Sequence, residues 1–471
     1  MNQNASGSNA VDLDLEYIDP YDFHMKNEPT MNKTPIEIDP ETGWRFTYRD
    51  IGMTRNAKEE NTREMKVFLD PMPHVVLDQN IPLRGWYKGK HEKKGVRARP
   101  CYTEALLSQP YGGFCSVGCG FCYINNGTRG YRGQGITTVD PQYGEKIRKQ
   151  ISKMKLGTAV YLSSFIDPFL ELEEHYGNTQ AAARAATDAG LPIFFLTRKK
   201  IPEWAYEELL KNKHSYMQFS INTPNPDDWR RLSPRAESLE DMIEQVRECK
   251  RRGIYVSIQV NPIMAGIVSN EEIVELIHVL AQAGADHLIF KFVEIVYPSV
   301  QGIVTQMQKR FGAERAKKFE DLFTCNIGGV RTIDEGYRKA ALDIFAVECK
   351  KAGVTMSLCY EYEYERDEAG NIVDKTGISM GAKYLTADQC HGHRVPMYSR
   401  DSLDEKFKPM EVCPPSGCLT CADERETVPC GSPQLALADK LLPANFRNPD
   451  GVTDADKKAN KILAINVMAL E

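Results

Sequence analysis

The sequence contains no run approaching the roughly 18 apolar residues that a membrane span requires. Its first thirty residues are polar and acidic rather than basic and then apolar, so the pattern of a secretory leader is missing as well. A cytoplasmic protein with no targeting segment and no membrane contact is expected. Excess positive charge is also lacking: the formal net charge is -6 at pH 7. That argues against a globally basic nucleic-acid binder and confines any such contact to a local patch. No internal repeat stands out beyond an alternation of strand-like and helix-like segments.

What is present is a chain of 471 residues, 42% of them hydrophobic, long enough to bury a sizeable core. Thirteen cysteines would suit a secreted disulfide scaffold or a metalloprotein, and the absence of a leader favours metal. Their distribution agrees. Seven lie in two short windows, Cys115 to Cys122 and Cys413 to Cys430, and the other six are scattered like ordinary buried thiols.

Residues 1–99 read as an N-terminal extension without sustained periodicity, its first thirty residues disordered or loosely docked. From about residue 100, short runs rich in β-branched and aromatic residues are each followed by an amphipathic stretch. The spacing predicts strands near Leu106 and over 159–165, 193–197, 216–222, 255–262 and 287–294. Helices are predicted over 142–155, 179–189, 202–210, 239–252, 271–283 and 304–318. Six β/α units in sequence imply a parallel sheet with right-handed crossovers, either a partial barrel or an open doubly wound sheet. Residues 326–471 add a helix over 335–352, a strand near 355–362 and a Pro- and Gly-interrupted tail carrying the second cysteine group.

The segment Cys115-Ser-Val-Gly-Cys119-Gly-Phe-Cys122-Tyr123 has C-x3-C-x2-C spacing in a Gly-rich loop after the first strand. Three thiolates tie a four-iron cubane and leave one iron without a protein ligand, the open position needed to bind a substrate or cofactor. The plainer alternatives are a zinc site with a borrowed fourth ligand, or a ferredoxin fragment. The β/α repeat that follows directly favours the open cluster.

This cysteine spacing, the aromatic Tyr123 after it and the succeeding β/α units resemble the radical S-adenosylmethionine superfamily over about residues 100–300. The resemblance implies a partial (β/α)6 barrel over 100–325, a [4Fe-4S] cluster, S-adenosylmethionine, and a reductant such as flavodoxin or ferredoxin. In that family the reduced cluster cleaves the sulfonium to a 5′-deoxyadenosyl radical, which abstracts hydrogen from the substrate. Ser163-Ser-Phe-Ile-Asp167-Pro168, Leu196-Thr-Arg198, Phe219-Ser220-Ile-Asn222, Leu232-Ser-Pro-Arg235 and Val260-Asn-Pro-Ile263 narrow it further. They are similar to the subgroup of spore photoproduct lyase and the DNA repair photolyases. By that resemblance Tyr123, Arg198, Ser220 and Asn222 contact S-adenosylmethionine; an Arg can fork the methionyl carboxylate. On its residues alone, Arg198 could equally begin a solvated run with Lys199 and Lys200, and Ser220 and Asn222 could be satisfied polar residues inside a barrel. One departure matters. Where the repair lyases carry a hydrogen-donating cysteine three residues before the strand-end aspartate, this chain has Ser164, which argues against spore photoproduct repair.

Cys413, Cys418, Cys421 and Cys430 supply four thiolates within eighteen residues. A closed set suits an auxiliary iron–sulfur cluster or a structural zinc. Cys390-His391-Gly-His393 reads as a loop facing water or as a further ligand. Arg84, Lys88, Lys90, Lys93, Lys94, Arg97 and Arg99, with Trp86, Tyr87 and His91 among them, could track a phosphate backbone or form a solvated loop. Lys291 and Glu294 could orient a substrate or form a core ion pair. The leading expectation is a radical enzyme acting on a nucleic acid, nucleotide or peptide. Its alternatives are a natural-product or peptide-modifying radical enzyme and a non-catalytic metal-binding nucleic-acid module.

Overall fold

The computed structural model describes residues 35–409, with breaks at 53–61, 79–82, 87–104, 123–130, 132, 155, 297–298, 328–329, 360, 364–366, 371–377, 388–389 and 397. Strands Ala105–Ser108, Val160–Leu162, Ile193–Thr197, Tyr216–Ser220, Tyr255–Ile263, His287–Phe292 and Thr355–Leu358 pair side by side in chain order, all parallel. Leu83–Trp86 adds an antiparallel strand beside Ala105–Ser108. A doubly wound sheet reverses its strand order at a switch point, and no reversal occurs here. Sequential order with right-handed crossovers puts the helices on one face and curls the other face inward. The sheet is therefore a partial barrel. Its two end strands do not pair with each other, so it is open. Six of the parallel strands lie within 100–325; the end strands Leu83–Trp86 and Thr355–Leu358 come from the flanking segments.

Local sequence explains the elements. Ile193–Thr197 is a continuous apolar run, as a strand covered on both faces requires. In the helix Leu239–Arg251, the Ser238 side chain accepts from the Asp241 N–H, acidic residues occupy the first turn and basic ones the last. Its buried residues Leu239, Met242, Val246 and Cys249 repeat at helical spacing and face the sheet.

The two faces of the sheet differ. Ile193, Phe195, Met217, Phe219, Val256, Ile258, Leu288 and Phe290 pack into the helix-covered core. On the inner face, Gln218 donates to Ser257 Oγ at 2.9 Å and Asn261 donates to Gln259 at 3.1 Å, while Leu107, Tyr161, Phe194 and Tyr216 form an apolar cluster, so the barrel interior is part polar and part aromatic. Its amino-terminal end is plugged by residues 390–396. His391 bonds Tyr216 at 2.7 Å, and the Cys390 carbonyl accepts from His287 Nε2 at 3.1 Å and Ser357 at 2.5 Å. Cys390 and His391 are buried; this loop does not face water.

The structure departs most from the sequence reading before residue 100. Arg45–Gly52 and Thr62–Phe68 form a long antiparallel pair within a six-stranded sheet that also takes in Glu37–Ile38, His74–Val76, Tyr111–Gly113 and Thr137–Val139. Thr62–Phe68 is exposed over its first three residues, so no alternating apolar pattern marked it. The strand predicted over 159–165 is confined to Val160–Leu162, because the chain then leaves the ladder to form part of the site.

Candidate active site

The cysteine loop is closed at its base by two short strands. Tyr111–Gly113 pairs with Thr137–Val139, and the closure continues through Phe114 N–H to the Ile136 carbonyl at 3.0 Å and Thr137 Oγ1 to the Phe114 carbonyl at 2.7 Å. Gly113 has φ of 74°, and a Cβ there would stand 2.3 Å from the Ile136 carbonyl oxygen. Only glycine fits.

Above this base the loop is held from two sides. Gly120 N–H donates to the Leu232 carbonyl at 2.9 Å, and Arg235 N–H to Val117 at 3.3 Å. Arg310, from the helix Val300–Asp321, donates to the Gly118 carbonyl at 3.3 Å and the Arg231 carbonyl at 2.6 Å. Cys115 is buried, while Cys119 and Cys122 are half-buried. Burial pushes the Cys115 thiol well up, and Asp167, Cys119 and Cys122 nearby add to the effect. Metal ligation removes that proton.

Arg198, Ser220 and Asn222 meet at the carboxyl ends of their strands. Arg198 Nη2 donates to Ser220 Oγ at 2.8 Å and to the Asn261 carbonyl at 3.4 Å; Nη1 donates to Asn222 Oδ1 at 3.3 Å and Ser233 Oγ at 3.2 Å. The guanidinium also lies 5.1 Å from the Phe121 ring centroid and 5.0 Å from that of Trp229. Burial lowers its pKa, and the thiols and Asp167 oppose that. With 6% exposure it does not belong to a solvated run. Ser233 Oγ donates in turn to Cys119 Sγ at 3.3 Å, joining the network to the cysteine loop.

Asp167 anchors the neighbouring turn by accepting from Arg198 N–H at 2.8 Å, Phe169 N–H at 3.0 Å and Thr197 Oγ1 at 2.8 Å. Burial raises its pKa against those donors. Ser164, in the same turn, has a buried Oγ with no hydrogen-bond partner among the described residues. Glu171 joins Ser116 at 2.6 Å to Lys199 at 2.8 Å, so the residue after Arg198 in the basic run is paired as well.

Sequence reasoning missed Ser233 and Arg310 as parts of the site. Ser233 lay inside a quoted motif; Arg310 carried no signal, because the loop carbonyls it holds are far away in sequence. Tyr123, the four tail cysteines and most of the basic stretch after Trp86 lie outside the described residues. Among the described residues no three His, Cys, Asp or Glu side chains close on a single-ion position. The loop fits a cluster through its composition and surroundings. Three thiols stand on one loop, a buried guanidinium lies near them to offset thiolate charge, and the orphaned Ser164 hydroxyl lies close by for a bound cofactor. No described helix is long and apolar enough to cross a membrane.

The family model of the radical SAM superfamily matches residues 110–280. A radical SAM Nα-GlyT isomerase of Pseudomonas phage M6 is 46% identical over 441 residues, covering 91% of this chain and 91% of that protein. Among solved structures, a spore photoproduct lyase complexed with dinucleoside spore photoproduct has a TM-score of 0.43 at 15% identity, covering 61% of this chain and 82% of its own. Streptococcus suis SuiB bound to S-adenosylmethionine has a TM-score of 0.34 at 14% identity, covering 53% and 48%.

Proposed function

Because the chain belongs to the radical S-adenosylmethionine superfamily, we propose that it is a radical isomerase. Its substrate is a nucleic-acid, nucleotide or peptide component bearing a glycyl unit joined through its α-nitrogen. The observation that carries this reading is the 46% identity, over nearly the whole of both chains, to the phage isomerase. When bound, a [4Fe-4S] cluster and S-adenosylmethionine supply a carbon radical able to take a hydrogen atom from the substrate. Cys115, Cys119 and Cys122 hold the cluster. Arg198 aligns Ser220, Asn222 and Ser233 along the barrel mouth, where Ser220 and Asn222 contact S-adenosylmethionine; its four terminal N–H donors already have protein acceptors, so Arg198 acts first as a positioning residue.

Ser164 supports an isomerase. Its O–H bond is too strong to yield a hydrogen atom to a carbon radical, so no side chain in that turn returns one. An isomerisation needs no such donor, because the hydrogen taken from the substrate goes back to the product and the atom count is unchanged. The methylene of an N-linked glycyl unit is a suitable site of abstraction, since the amine on one side and the carboxylate on the other both stabilise the radical.

The test uses dithionite-reduced, cluster-loaded protein, S-adenosylmethionine and a glycyl-bearing nucleotide dideuterated at the glycyl methylene. The expected product has the connectivity of an isomer, deuterium enters 5′-deoxyadenosine, and one S-adenosylmethionine supports several turnovers. A product of altered composition, or 5′-deoxyadenosine free of label, would overturn the reading.

A further inference from the structure

The outer side of the cysteine loop is faced with positive charge. In the helix Pro226–Leu232 the buried residues are Asp228, Trp229 and Leu232, and the Trp229 ring lies against the Arg198 guanidinium at the barrel mouth. At about 100° per residue, Arg230 and Arg231 are turned away from that face, and Arg230 is exposed. Among the described residues Arg230 has no ion-pair partner, and Arg231 bonds only the neutral Arg310 carbonyl, at 3.0 Å. Arg310 returns that bond to the Arg231 carbonyl, and its guanidinium lies against Gly120, where a Cβ would stand 3.0 Å from Arg310 Cζ. Gly120 sits between Cys119 and Cys122 in the loop. Lys309, next to Arg310, is exposed.

Four cations thus gather beside the cysteine loop of a chain whose net charge is -6. Of the two acids on the same helix, Asp228 is paired with Arg315 at 2.5 Å, and Asp227 alone is exposed. A nucleic-acid substrate would enter at the barrel mouth, the side to which Trp229 rather than Arg230 is turned.

The charge stands where an electron has to enter. Cys119 and Cys122 are half-buried, so a cluster held by this loop lies near the outer surface, while its inner side faces S-adenosylmethionine and the substrate. Electron transfer weakens steeply with distance, which brings a donor to the outer side. We propose that Arg230, Arg231 and Lys309, with Arg310 beneath them, form the docking surface for a small acidic one-electron carrier protein. The carrier passes one electron to the cluster, and no atom is transferred. Opposite charges on the two surfaces speed and orient the encounter. Exposed charges do so without holding the complex tightly, as suits a carrier that must leave to be reduced again. The surface serves cluster reduction whatever the substrate, so it goes beyond the isomerase reading and does not depend on it.

Equilibrium titration of the full-length, cluster-loaded protein with oxidised flavodoxin, a small acidic flavoprotein, tests this. Wild type should bind saturably at low ionic strength and lose affinity as salt is added. Arg230→Glu combined with Lys309→Glu should weaken binding about tenfold or more, whereas Arg230→Lys should stay close to wild type, separating charge from packing. Lys350→Glu combined with Lys351→Glu makes the same change of net charge on the distant helix Glu335–Ala352 and should leave binding unchanged. In a second readout, 5′-deoxyadenosine formation driven by limiting reduced flavodoxin should fall by a similar factor in the Arg230 and Lys309 double variant, and formation driven by dithionite should not. No saturable binding to wild type, equal affinity in that double variant, an equal loss in the Lys350 and Lys351 variant, or an equal loss with dithionite would each overturn the proposal. Loss of single-stranded DNA binding in the Arg230 and Lys309 variant, with flavodoxin binding intact, would also overturn it and assign the surface to nucleic acid. Neither readout requires the substrate, so failure here leaves the isomerase reading standing, and failure of isomerisation leaves this surface standing.

Discussion

At the scale of single residues, Arg198 decides most about the site, because one buried guanidinium spans three strands and the segment behind Cys119. Arg198→Lys keeps the charge but gives up the planar fork that reaches Ser220, Asn222 and Ser233 together. S-adenosylmethionine binding to cluster-loaded protein should weaken by about 1.5–3 kcal/mol, the range for hydrogen bonds to a charged group. Unchanged affinity in an anaerobic titration would return Arg198 to a purely structural role. The sequence marked this residue through a short motif at a strand end, where ligands gather in parallel sheets. It could not tell burial from exposure, because Arg198-Lys199-Lys200 looks the same as a solvated run. Only the fold brings Phe121 and Trp229 over the guanidinium and closes the question.

At the scale of elements, the hairpin beneath the cysteine loop is the most exacting piece of backbone. Gly113→Ala would place a methyl group against the Ile136 carbonyl, a backbone atom that cannot swing away, and would add the strain of a positive φ, about 1–3 kcal/mol. Iron content after reconstitution should fall together with thermal stability. Gly177 provides the contrast: its φ is 60° but nothing lies within 4 Å of its would-be Cβ. Gly177→Ala should lose some stability and no iron, and a matching loss of iron in both variants would contradict the assigned role of the hairpin. Helices and parallel strands after residue 100 were legible because burial on one or both faces writes itself into apolar spacing. The ladder of Arg45–Gly52 with Thr62–Phe68 was not, since backbone hydrogen bonds hold it and many of its side chains meet solvent.

At the scale of the whole molecule, two fully buried histidines fasten separate parts of the fold. His74 ties the N-terminal sheet to the segment after the second parallel strand through Tyr176 at 3.0 Å, and His287 holds the plug at the barrel floor. Burial lowers each to about 4, against about 6.5 for an unfolded chain. The unfolded state therefore takes up protons first as the medium is acidified. Stability is complete above pH 6.5 and drains away between pH 6.5 and 4, by about 2 kcal/mol per histidine at pH 5. Urea midpoints at pH 7.5 and 5 measure this, and His287→Gln should reduce the difference; a midpoint independent of pH would mean both rings charge freely in the folded state. The N-terminal sheet also bears on how the protein is made. His74–Val76 lies beside Thr137–Val139, and Cys115, Cys119 and Cys122 all fall between those strands in the chain. As the polypeptide leaves the ribosome, the first strand must wait for the second, so the thiols are synthesised before the sheet that braces them can close.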